Sequence, residues 1–160
     1  MSNCENIEIA NLSQLQTNTI NINNLTQLKL LDISGTSITQ LNIQSNTNLE
    51  TIRIRECATL SNLDVTNLTH LKDLNIHDNP LISVLDLSNK PELVSVFTYN
   101  MNNLNQINLT GSTAVKTIYL FNCAVGQLNT SGLTQLEHLT VYNSVGSNTL
   151  TSLNLTQITL

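Results

Sequence analysis

The chain has 160 residues, of which 40% are hydrophobic, so a single domain can bury a core. Aromatic residues make up only 3% and charged residues 11%, and the formal net charge is −5. An acidic chain this poor in Lys and Arg is unsuited to nucleic acid, whose phosphates require clustered cations, and to an anionic membrane surface. No apolar stretch is long enough to cross a bilayer, so no membrane insertion is expected. Residues 1–10 show neither the basic region nor the apolar run of a signal peptide. The three cysteines, Cys4, Cys57 and Cys123, are too few and too scattered for a disulfide framework.

Residues 1–16 read as an irregular cap-like segment, with Glu5 and Glu8 discouraging edge pairing. From residue 17 to residue 160 one template recurs: apolar, two residues, apolar, one residue, apolar. After a compressed first coil over residues 12–25, two kinds of unit alternate. The first kind begins at Leu28, Leu49, Leu71, Leu93, Val115 and Leu136. The second begins at Ile38, Leu60, Ile82, Leu104, Val125 and Leu150. Units follow one another at about 11 residues, so two units make a coil of about 22. The period of two inside each unit is a strand signal, and turn residues such as Asn, Gly, Ser and Pro fill the gaps. The residues therefore predict one all-β solenoid domain over 17–160 with little helix, in which stacked coils bury the apolar side that one coil alone cannot.

The two kinds of unit differ in their outward residues. The second kind is monotonous and sets up a polar ladder of Asn42, Asp64, Asp86, Asn108, Asn129 and Asn154. Only two of these are charged, so no metal site is expected there; the ladder solvates the back of the solenoid. The first kind keeps its apolar frame, varies outside it, and holds five of the six basic side chains: Lys29, Arg53, Arg55, Lys72 and Lys116.

One unit of the first kind reads Leu71, Leu74, Ile76, Asn79, Leu81 at the spacing Leu-x-x-Leu-x-Leu-x-x-Asn-x-Leu. This resembles the strand motif of leucine-rich repeats, and the short coil resembles the bacterial, internalin-like type, over roughly residues 17–160. The resemblance implies a right-handed curved solenoid with a parallel sheet of first-kind strands on the concave, ligand-binding face and short extended segments on the other. It implies a secreted or cell-surface recognition module that binds a protein partner, with no enzymatic role and no cofactor. The motif Asn is replaced by Thr36, Cys57, Met101, Cys123 and Ser144, so its ladder is patchy. The last turn, over residues 144–149, is longer. The pattern runs up to Leu160 without a cap, which leads to an expectation of end-to-end self-association or of further coils.

No catalytic motif accompanies His70, His77 or His138. Cys57 and Cys123 stand three coils apart, roughly 14 Å at the usual strand spacing, beyond the reach of a disulfide. The functional lead is aromatic. Phe97, Tyr99, Tyr119, Phe121 and Tyr142 are all the aromatic residues of the chain, and all fall at outward positions of first-kind units. Phe97 and Tyr119 share one column; Tyr99, Phe121 and Tyr142 share the next. Arg53 and Arg55, then Asn75 and His77, extend those columns toward the N-terminus. The expected ligand site has the five rings at its centre and Arg53, Arg55 and His77 at its rim. Two other roles fit the same residues: a structural segment of a surface adhesin or fibre, and carbohydrate binding through the aromatic face.

Overall fold

A computed structural model describes residue 4, residues 6–143 and residues 150–155. Ser144, the longer turn over residues 144–149, Glu5 and residues 156–160 lie outside the described residues. Among the described residues the fold is all-β and has no helix. The strands are β1 (Ile9–Asn11), β2 (Leu30–Asp32), β3 (Thr51–Arg55), β4 (Asp73–His77), β5 (Val84–Asp86), β6 (Ser95–Tyr99), β7 (Gln106–Asn108), β8 (Thr117–Phe121), β9 (Gln127–Asn129), β10 (His138–Tyr142) and β11 (Ser152–Asn154).

The six first-kind units, with β1 added at the N-terminal edge, build one parallel sheet of seven strands in the order β1-β2-β3-β4-β6-β8-β10. Its register joins equivalent positions of successive coils, so Ile52, Leu74, Val96, Ile118 and Leu139 form one inward column. The first four are buried. The second-kind units make two short parallel ladders, β5 with β7 and β9 with β11. Second-kind units at Ile38 and Leu60 form no strand. Side chains tie them to their neighbours instead: Gln44 Nε2 donates to the Asp64 carbonyl (2.9 Å) and Thr59 Oγ1 to the Ile38 carbonyl (2.8 Å). The core lies between the two faces and runs the length of the stack.

β1 pairs with β2 in the same parallel register, Ile9 with Leu30 and Asn11 with Asp32. It lies ahead of residue 17, where the sequence reading starts the solenoid, and the coil between β1 and β2 is therefore not compressed. The inward residue of β1 is Ala10, where other coils place Leu, Ile or Val, and so small a side chain hides the unit in a hydrophobic pattern.

Each first-kind strand ends in the same way. Gln14, Gly35, Glu56, Asp78, Asn100 and Asn122 all have φ between 52° and 69°, the left-handed region that favours Gly, Asn and Asp. Their N–H groups donate across the coil boundary to the carbonyls of Ser34, Arg55, His77, Tyr99, Phe121 and Tyr142. At Gly35 it is the φ of +69° that favours glycine, since a Cβ there would meet only the flexible end of the Gln14 side chain.

Just beyond this column lies the motif position. Asn79 is fully buried; its Nδ2 donates to the carbonyls of Ile54 (2.9 Å) and His77 (2.7 Å), and its Oδ1 accepts from the Cys57 N–H (3.0 Å). The substitutes do part of the same work. Thr36 Oγ1 and Cys57 Sγ both donate to the Ile33 carbonyl. In the last coil Asn143, one residue before Ser144, accepts from the Cys123 N–H (3.0 Å). Asn79→Ala should cost about 1–3 kcal/mol, because it removes the buried bonds to the Cys57 N–H and the Ile54 carbonyl. Urea unfolding reads this, and a loss no larger than that of an exposed Asn→Ala variant contradicts it.

Candidate functional site

Alternation in each strand turns every second side chain of the sheet away from the core. The register then aligns these outward residues into columns. One column runs Arg53, Asn75, Phe97, Tyr119, Thr140; the next runs Arg55, His77, Tyr99, Phe121, Tyr142. The columns inferred from the sequence are thus the columns of the sheet. Phe97, Tyr99, Tyr119 and Tyr142 are exposed, between 37% and 51%, and Phe121 is half-buried.

The rings stack along the columns. Phe97 lies against Tyr119 at 5.0 Å with 11° between planes. Tyr99 lies against Phe121 at 5.1 Å and 25°, and Phe121 against Tyr142 at 4.4 Å and 28°. His77 meets Tyr99 edge-on at 6.3 Å. Between the columns runs an apolar trough of about 270 Å³ lined by Asn75, His77, Phe97, Thr98, Tyr99, Tyr119 and Phe121. Each ring has one face against a neighbouring ring, and Phe121 has both.

The expected rim residues behave differently from one another. His77 joins the rings and holds Asp78 through Nδ1 (2.7 Å to Oδ2). Arg55 turns away from them, its Nη2 3.6 Å from Asp32 and its Nε donating to the Ser34 hydroxyl (3.2 Å), both on the preceding coil. Arg53 is exposed and has no ion pair among the described residues.

Several functional-looking groups are engaged within the fold. Along the other margin of the sheet the lysines are neutralised: Lys29 by Glu8 (3.0 Å), Lys72 by Glu50 (2.8 Å) and Lys116 by Glu137 (3.2 Å). The Lys72 ammonium holds the Glu50 carboxyl below its usual range, and Glu50 in turn raises Lys72. The sixth basic residue, Lys90, is buried, and its Nζ donates to the carbonyls of Thr66 (3.2 Å) and Ser88 (3.0 Å). Burial pushes its pKa down. Burial likewise raises the Cys123 thiol, which lies 3.2 Å from Thr98 Oγ1.

On the opposite face, the polar ladder caps its own turns. Oδ1 of Asn42, Asp64, Asp86, Asn108 and Asn129 each accepts the backbone N–H two residues on, at 3.0–3.2 Å. Asx turns of this kind explain the monotony of these units. The Thr66 hydroxyl, then its N–H, holds the Asp64 carboxyl below the ordinary range; Ser88 does the same for Asp86. Because the folded pKa is depressed, these carboxylates stabilise the fold above the ordinary carboxylate range and lose that contribution as pH falls through the folded value. Melting temperature should accordingly drop below about pH 4, and Asp64→Asn, which keeps the Oδ1 acceptor, should reduce the drop. An unchanged acid limb in the Asn variant contradicts this role.

The one group of residues that sequence reasoning missed is the left-handed column. Glu56, Asp78, Asn100 and Asn122 follow the last outward residue of their strands, with Asn100 Nδ2 donating to Asp78 Oδ1 (2.9 Å) and Asn122 Nδ2 to Asn100 Oδ1 (3.0 Å). The available signal was the recurrence of Asx residues immediately after each aromatic strand.

Stacked coils with a parallel sheet on one side and capped turns on the other define a leucine-rich-repeat solenoid fold. Among solved structures the fold is similar to the functional domain of InlJ from Listeria monocytogenes, with a TM-score of 0.54 and 23% identity over 98% of this chain. The chain spans 41% of the length of that structure's chain, which is described as including a cysteine ladder. In this chain the motif column reads Thr36, Cys57, Asn79, Met101, Cys123, so its two thiols are separated by two coils without one. No protein-family model matches the chain, and no curated protein matches it.

Proposed function

We propose that the chain is a non-enzymatic recognition module that binds a protein partner through the outer face of the seven-stranded sheet. Phe97, Tyr99, Tyr119, Phe121 and Tyr142 form the centre of the contact, with His77 and Arg53 at its rim, while Arg55 is held on the preceding coil by Asp32. The solenoid fold fits a protein-interaction or adhesin-type module. The observation that carries the finer reading is the patch itself: every aromatic residue of the chain lies on one face, in three adjacent strands, and four of the five rings keep between 37% and 51% of their surface exposed. Such rings are costly to expose and bury large areas with few rotatable bonds when a partner arrives.

A protein is favoured over a carbohydrate by the stacking. A sugar packs its flat face on a ring face, and here each ring already has one face against a neighbour, and Phe121 both. The trough offers ring surface and tyrosine hydroxyls, which suit side chains inserted from a protein surface. Protein and glycan arrays probed in parallel with the chain and with its Tyr119→Ala form test the reading. Protein signals removed by the substitution support it; signals confined to glycans overturn it.

A further inference from the structure

Two depressions share one ridge. On one side of Tyr99 and Phe121 lies the apolar trough. On the other lies a groove of about 580 Å³ lined by Glu56, Ala58, Asp78, Pro80, Asn100, Asn102 and Asn122. The left-handed backbone makes the second groove, because each strand's following residue leaves the column and lines the groove. The groove carries two carboxylates, and no Lys or Arg lines it. Glu56 is exposed and has no ion pair among the described residues. The nearby Arg55 is turned onto Asp32, and the sheet's lysines are neutralised along the far margin. Asp78 accepts from Asn100 at Oδ1 and meets the His77 ring at Oδ2. The Glu56 carboxylate is therefore left without a cationic partner among the described residues beside an aromatic patch, on a chain whose net charge is −5.

Building on the proposed binding face, we propose that the partner segment is basic as well as apolar. An aliphatic or aromatic side chain seats in the trough, and a Lys or Arg a few residues away crosses the Tyr99–Phe121 ridge to reach Glu56 and Asp78. Charge complementarity then sets orientation and selectivity, while ring contact supplies most of the affinity.

The test uses three pools of synthetic peptides of about seven residues, each with a central aromatic or aliphatic residue and with basic, neutral or acidic flanks. Binding is read by fluorescence anisotropy for the unaltered chain, the Glu56→Gln/Asp78→Asn pair, the charge-matched Asp64→Asn/Asp86→Asn pair on the opposite face, and Tyr119→Ala. Asn is at home in the left-handed conformation, as Asn100 and Asn122 show, so Asp78→Asn removes charge without straining the turn. The basic pool should bind best, weaken between about 50 and 500 mM salt, and lose roughly fivefold to tenfold on Glu56→Gln/Asp78→Asn. The opposite-face pair should leave it unchanged. No preference for the basic pool, or a preference reduced equally by both charge pairs, overturns the inference. Salt-independent binding that Tyr119→Ala abolishes overturns it too but leaves the binding face standing. Binding of the basic pool that survives Tyr119→Ala removes the face itself.

Discussion

Tyr119→Ala or Phe121→Ala is expected to weaken partner binding by about 2 kcal/mol or more, roughly thirtyfold. Both rings lie at the middle of the patch, where a partner's rim would exclude water most fully. Phe121 touches two rings, Tyr99 and Tyr142, so its loss also loosens the ridge that separates trough from groove. Tyr119 is 38% exposed, so truncating it opens no cavity in the core, and stability should fall by only about 1 kcal/mol, the worth of an aromatic cross-strand pair. Asn108→Ala on the opposite face loses an Asx cap and should leave binding nearly intact. Titration calorimetry together with urea unfolding on the three variants separates the effects. The reverse pattern, with ring variants binding normally and Asn108→Ala failing, would place the site on the wrong face.

Leu74→Ala is expected to destabilise the fold by about 2–5 kcal/mol without acting on the binding face. Leu74 is fully buried at the centre of the inward column, between Ile52 and Val96 of the adjoining strands. Parallel strands held by hydrogen bonds on both sides cannot close over the hole, so the lost transfer energy and the cavity term add. Coils contact only their neighbours, so the damage should appear first as an earlier transition of the central coils. A loss below about 1 kcal/mol in urea unfolding would show that the side chain is not core.

How much of this was legible depended on how local the cause was. The two outward columns followed from a period of two and a constant coil length, and the rings stand where that arithmetic puts them. β1 stayed hidden because Ala10 carries too little apolar surface to register as a unit. Arg55 counted as a rim residue by position, yet Asp32 on the preceding coil draws its guanidinium away. In the last coil Asn143, which spacing did not single out, accepts from the Cys123 N–H, because side-chain reach from a neighbouring position also serves this turn.

By itself the sequence determined the solenoid, its inward positions and the face that carries the rings. In a sheet with one buried side, a slip of one residue would turn every apolar side chain outward, so pattern and register cannot disagree. Only the tertiary structure decided how the outward groups divide into stacked ridge, apolar trough and anionic groove. Those arrangements depend on what stands opposite each residue on the next coil. They also depend on a left-handed turn whose hydrogen bond crosses the coil boundary, as Asn100 N–H does to the carbonyl of Phe121. Such a bond has no counterpart within a single repeat, so no repeat read alone reveals it.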